Sequence, residues 1–185
     1  MPTLLLLNGA PGSGKSTLAR RWVDSRPLAL VLDIDRLRGM LGAWQDDVPA
    51  AGRRARTLAV AAAWAQLRSG GDVVVPQLLA RPDFLEELDG LAVAAGARFV
   101  EVVLTADPDD LAARLATRVE AGGPGADVDP WSALEGLPTA ERVRELADAV
   151  DALVVARPGT HRVASVRGDV DATLADLEAV AGAAG

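Results

Sequence analysis

Gly9-Ala10-Pro11-Gly12-Ser13-Gly14-Lys15-Ser16-Thr17 is the stretch that decides the fold of this chain. It fits G-x-x-x-x-G-K-[ST], a loop whose backbone N–H groups cradle a row of phosphates. Lys15 is the one lysine in 185 residues; apart from His161, every other cationic side chain is arginine. A compact ammonium on a flexible stem can lie along β- and γ-phosphates inside a tight backbone cradle, where a planar guanidinium is too wide. The flanks argue against a chance match in a glycine-rich chain. Thr3-Leu4-Leu5-Leu6-Leu7 has strand length and no helical period, and reads as a buried parallel strand. Ser16 to Val23 places Leu18, Trp22 and Ala19 on one helical face. Gly9, Gly12 and Gly14 let the backbone turn its N–H groups inward, and the helix N-terminus adds its positive dipole end at the same point. Ala10, Pro11, Ser13 and Thr17 complete the nucleotide-binding segment, and the Ser16 hydroxyl is expected to face Mg²⁺. Asn8, the one asparagine, is expected to fix the entry to the loop.

Outward from this loop the elements alternate. Strands are expected over 28–33, 72–75, 98–104 and 162–166. Helices are expected over 50–69, 82–95, 108–120, 139–148 and 170–181. Pro82 at a first helical position, Gly96 just past a helix end and Asp107 as a cap mark the boundaries. Alternating βα units give a parallel sheet with helices on both faces, and ligands then bind at the C-terminal strand ends. No repeat or linker divides the chain, so 1–185 reads as one domain. The glycine-rich break at 121–125 begins an expected lid, 121–138, that carries Trp131.

Composition bounds the function. Half the residues are apolar and the net charge is −7, which argues against a general nucleic-acid coat but allows a small anion in a local basic pocket. There is no cysteine, hence no disulfide and no thiolate metal site. No apolar run reaches the length of a membrane span and no charged leader precedes the first strand, so a soluble cytoplasmic protein without a membrane partner is expected.

The second strand ends in Asp33-Ile34-Asp35-Arg36-Leu37-Arg38. Two carboxylates two apart at a strand end suit two jobs: one holds the hydration shell of Mg²⁺, the other accepts a proton from a substrate hydroxyl. A helix N-cap is the structural alternative, and the two roles are compatible. The third strand ends in Pro76-Gln77 with no carboxylate. An ATPase machine of the motor or AAA type carries its Mg²⁺-associated aspartate there, so that reading is disfavoured and Asp33 is the best substitute. Gln77, Arg81 and Trp44 are candidates to contact an acceptor, with loop structure and solvated charge as the alternatives. Arg114 and Arg118 share a helical face beneath the lid, where arginines can neutralise a transferring phosphoryl group. Trp22, Trp64, Trp131 and His161 read as structural.

These residues resemble a family: the small P-loop kinases related to zeta toxins and chloramphenicol phosphotransferase. The resemblance rests on Gly9 to Thr17, on Asp33 to Arg38 and on Leu111-x-x-Arg114-x-x-x-Arg118. It implies a three-layer α/β/α fold around a five-stranded parallel sheet in the order 2-3-1-4-5, with a helical lid. It implies that Asp35 is the hydroxyl-activating aspartate, that Arg118 is a lid arginine, and that Arg157 or Gly168-Asp169 borders the adenine. Val73 to Gln77 and Pro82 to Phe84 are similar, more weakly, to tunicamycin-resistance proteins. The chain departs from the family at Pro76, where a polar or acidic residue is usual.

The resulting expectation is a kinase using ATP and Mg²⁺. Lys15 and the loop hold the phosphates, and Ser16 and Asp33 serve the metal. Asp35 is the general base, Arg118 with Arg114 stabilises the transferred group, and Arg38 helps bind a sugar, nucleoside or antibiotic hydroxyl. Two alternatives stand beside it: a nucleotide-binding protein that confers drug tolerance by sequestration, and a nucleic-acid 5′-end kinase or NTPase module.

Overall fold

The computed structural model describes residues 1–120 and 138–183; of Arg118, Val119, Glu120 and Ala183 it describes the backbone alone. Among the described residues the elements run β1 (Thr3–Asn8), α1 (Lys15–Asp24), β2 (Leu30–Val31), α2 (Ile34–Gly39), α3 (Val48–Arg68), β3 (Val73–Pro76), α4 (Asp83–Ala95), β4 (Arg98–Thr105), α5 (Pro108–Glu120), α6 (Ala140–Val155), β5 (His161–Ala164) and α7 (Val170–Ala183). The strands form one parallel sheet in the order β2-β3-β1-β4-β5, with β1 paired to β3 from Leu4↔Val73 and to β4 from Thr3↔Arg98.

β1 is central, and all six of its residues are buried. Its unbroken leucine run follows from having helices on both faces. Leu4 and Leu6 pack against α3 and α4 through Ala55, Ala59, Leu85 and Leu88, while Leu5 and Leu7 pack against α1 and α7 through Leu18, Trp22 and Leu177. Each buried leucine contributes about 1.5–3 kcal/mol of transfer free energy. α3 lies close to the sheet because its inner stripe is small: Ala51, Ala55, Ala59 and Ala63, closed by Leu67. Gly96, at φ +71, caps α4 in the left-handed conformation expected of a residue just past a helix end.

Several boundaries differ from the pattern reading. β2 shrinks to two ladder residues. Leu28 sits at φ +60 with its side chain in solvent, and the chain turns into α2 directly after Leu32. α3 begins at Val48 because the Asp47 carboxylate caps it, accepting from the Ala50 N–H at 2.9 Å. α6 continues past Asp148 to Val155, since Val150 and Val154 cover Val103 of β4. No helix among the described residues is long and apolar enough to cross a membrane.

Candidate active site

The loop between β1 and α1 has the shape its glycines predict. Gly12 and Gly14 adopt φ +84 and +88, and Gly14 is the residue from which α1 starts. A Cβ on Gly12 would stand 2.7 Å from the Leu111 carbonyl oxygen of α5, and one on Gly9 would stand 2.8 Å from the Leu104 carbonyl oxygen of β4. The loop is therefore seated on β4 and α5 as well as on its own strand and helix. Lys15 folds back over it, its Nζ donating to the Gly9 carbonyl at 2.8 Å and the Ala10 carbonyl at 3.0 Å. Ser13 is buried beneath the loop, while Ser16 and Thr17 are exposed at the start of α1.

Asn8 fixes the entry as expected, and it does more. Its Oδ1 accepts from the Gly9 N–H at 2.8 Å and from the Leu79 N–H at 2.9 Å, and its Nδ2 donates to the Leu79 carbonyl at 2.9 Å. One fully buried side chain thus ties the phosphate loop to the segment after β3. Gln77 and Arg81 flank that segment. The Gln77 backbone N–H donates to the Leu7 carbonyl, while its buried Oε1 has no hydrogen-bond partner among the described residues; Arg81 is exposed.

At the end of β2 the two carboxylates separate in role. Asp33 caps α2: its Oδ1 accepts from the N–H groups of Asp35 and Arg36. Its Oδ2 lies 3.7 Å from Arg36 Nε. Asp35 keeps about a third of its side chain exposed and pairs through Oδ1 with Arg38 Nη2 at 2.9 Å. Arg38 is itself buried and lies over the Trp44 ring at 5.5 Å. Asp35, Arg38 and Trp44 are therefore one cluster, a reachable carboxylate held by a buried guanidinium. Mg²⁺ keeps several waters and takes one or two protein oxygens beside phosphate. The hard oxygens of Ser16 and Asp33 fit that demand. Among the described residues no group of three or more His, Asp or Glu side chains forms an all-protein cage.

On the other side of the phosphate loop lies a cavity of about 200 Å³, lined in part by Gly14, Thr17, Arg114, Ser165 and Gly168. Gly168 lines this cavity; Asp169 does not, and its carboxylate accepts from the Ala172 N–H at the start of α7. Arg157, read with Gly168-Asp169 as a candidate to border the adenine, lies away from this cavity. Val100, Val102 and Leu104 face α1 and α7, as the cavity does, so Glu101 points to the opposite face of the sheet. Arg157 is held there, by Glu101 at 2.8 Å and near Asp89 of α4, and does not line the cavity. Arg114 is engaged by the wall of the cavity. Both its terminal nitrogens donate to Ser165, one to Oγ and one to the carbonyl, each at 2.8 Å. The Arg118 side chain and residues 121–137, which carry the expected lid and Trp131, lie outside the described residues. Of the residues read as structural, Trp22 is buried under Arg26, Trp64 is half-exposed on α3 beside Arg68, and His161 is exposed on β5. Sequence reasoning missed Ser165 and Thr173 at the cavity; isolated hydroxyls outside any motif carry no signal of their own.

A family model described as an AAA domain, AAA_33, matches residues 4–133. The chain belongs to that family. Its match includes the phosphate loop, the aspartate pair and α5, while β3 still ends at Pro76-Gln77 without the carboxylate of an ATPase machine. No curated protein matches by sequence. Among solved structures, the tunicamycin resistance protein of Deinococcus radiodurans is 15% identical at a TM-score of 0.63, covering 98% of this chain and 96% of that one. A gluconokinase from Sinorhizobium meliloti 1021 is 17% identical at a TM-score of 0.60, covering 99% and 96%. A chain of the Pnkp1/Rnl/Hen1 RNA repair complex is 21% identical at a TM-score of 0.66, covering 84% of this chain but 46% of that one. The fold is that of the small P-loop kinases.

Proposed function

We propose that the protein transfers the γ-phosphoryl group of ATP, with Mg²⁺, to a hydroxyl of a small molecule. One observation carries this reading: a glycine-built loop with the single lysine at the α1 N-terminus shares a sheet edge with Asp35, a reachable carboxylate held by Arg38. The loop N–H groups and the helix dipole bind the phosphates. Lys15 exchanges its loop carbonyls for β- and γ-phosphate oxygens. Mg²⁺, held through Ser16 and, by way of water, Asp33, would neutralise charge developing between the β- and γ-phosphates. Asp35 takes the proton of the acceptor hydroxyl, and the Arg38 pair fixes the carboxylate in place. Trp44, with Arg38 over its ring, and Gln77 with Arg81 across the Asn8 clamp, border the acceptor. Arg118, four residues along the chain from Arg114, is assigned to the transferring group, the role its resemblance to a lid arginine implies. A donor of this kind fits a cytoplasmic protein, and the net charge of −7 favours a small acceptor over a nucleic acid.

The test is ADP release over a panel of sugars, nucleosides and hydroxylated antibiotics, with wild type against Asp35→Asn. The variant is expected to bind ATP normally and to lose transfer by about 10²–10⁴-fold, the usual scale of general-base catalysis. Full activity, or full drug tolerance in a cell that depends on the protein, would remove Asp35 as the base. In the second case binding without turnover becomes the better account.

A further inference from the structure

We propose that Arg114 is a positioning residue for the nucleotide: it acts through Ser165 to hold the β5–α7 loop against the phosphate loop, and does not act on the transferring phosphoryl group. The inference rests on the nucleotide-binding reading above. Arg114 projects from α5, and α5 already touches the phosphate loop, since Gly12 packs against the Leu111 carbonyl. Its Nη1 and Nη2 both reach Ser165, just past β5, and its Nε is buried without a hydrogen-bond partner among the described residues. Ser165 in turn lies over the start of α1: its Oγ stands 3.9 Å from a Cβ built on Gly14. The Ser165 N–H is held by Thr105 of β4, and the Val166 N–H reaches Thr173 of α7. Four elements thus meet at one loop, and the guanidinium is the cross-link between α5 and that loop. The loop walls the cavity beside Thr17 and Gly168, on the far side of the phosphate loop from Asp35. A guanidinium whose two ends are both engaged by a serine is oriented by that serine, and a phosphoryl oxygen would have to break the pair to recruit it.

This predicts a division between the parts of the nucleotide. Removing the cross-link frees the loop that receives the non-phosphate part, while the phosphate cradle keeps its own backbone donors. Arg114→Met and Ser165→Ala are to be compared with wild type by calorimetry, using ADP and inorganic tripolyphosphate as separate probes. Hydrogen exchange over residues 165–169 is followed in the ligand-free protein. Arg114→Met should weaken ADP about tenfold or more, the scale of a lost hydrogen bond to a charged donor, and leave tripolyphosphate within about twofold. Ser165→Ala, which keeps the carbonyl contact, should show a smaller loss with the same selectivity. Exchange over 165–169 should rise in Arg114→Met. In turnover, KM for ATP should rise with kcat within a few-fold. Equal losses for both probes, or a fall in kcat at constant KM, would return Arg114 to the phosphoryl group. Unchanged exchange over 165–169 would overturn the proposal even if wild type bound neither probe, an outcome that would separately overturn the nucleotide site.

Discussion

Replacing Gly12 by alanine isolates what the phosphate loop demands of its backbone. Gly12 is at φ +84, where an L side chain costs about 1–2 kcal/mol. Its new Cβ would also meet the Leu111 carbonyl oxygen at 2.7 Å and Leu115 Cγ at 3.3 Å. The first neighbour is helix backbone and cannot swing aside, so the loop must lift from α5, an overpacking cost of about 1–3 kcal/mol. Together these give about 2–5 kcal/mol. At about 2–4 °C per kcal/mol for a chain of this size, the melting temperature should fall by roughly 4–20 °C. Gly14→Ala is the internal control. It has nearly the same φ, +88, but beyond its own chain neighbours its Cβ would find, among the described residues, no atom nearer than Ser165 Oγ at 3.9 Å. It should show the conformational cost alone, about 1–2 kcal/mol. The assay is thermal unfolding of ligand-free protein by calorimetry, repeated with ATP and Mg²⁺. The ligand should stabilise wild type and leave Gly12→Ala nearly unmoved, because a lifted loop no longer presents its N–H groups together. If Gly12→Ala is no less stable than Gly14→Ala, the contact between the loop and α5 does not have the consequence assigned to it.

Lys15→Ala should abolish most of the ATP-dependent rise in melting temperature while leaving a folded ligand-free protein, and Lys15→Arg should be severely impaired in turnover despite its charge; an unchanged shift in the first, or near-normal rates in the second, would contradict the assigned role. Asn8→Ala removes three buried hydrogen bonds at once. It should destabilise by about 3 kcal/mol in chemical denaturation, and a loss under 1 kcal/mol would mean that water replaces the clamp. Arg118→Ala should lower kcat on the order of 10²-fold with little change in ATP affinity, and a pure affinity loss would reassign it to ground-state binding.

Much of this architecture was legible because it is written in local chemistry. A glycine-rich loop with one lysine, entered from an apolar strand and leading into a helix, has one well-matched conformation, and the loop adopts it. Asp107 and Gly96 sit at the ends of α5 and α4 as capping preferences require. The errors arose where packing overrode pattern. β2 lost its ends at Leu28 and Leu32 because it is an edge strand with one neighbour, and α6 outran its expected end because Val150 and Val154 had β4 to cover.

The candidate site divides along the same line. By itself the sequence determined the residues joined to the phosphate loop by a few peptide bonds, and the Asp33/Asp35 pair with Arg38 one helical turn on. These meet through backbone geometry whose period is fixed. The tertiary structure alone decided which distant groups come to that loop. It turned Glu101 and Arg157 to the face away from the cavity by the parity of β4, brought Leu79 to Asn8 over 71 residues and delivered Ser165 to Arg114 over 51. Neither arginine differs from the other as a sequence symbol. What separates them is the side of the sheet each reaches, and the whole chain sets that when it buries both faces of β1.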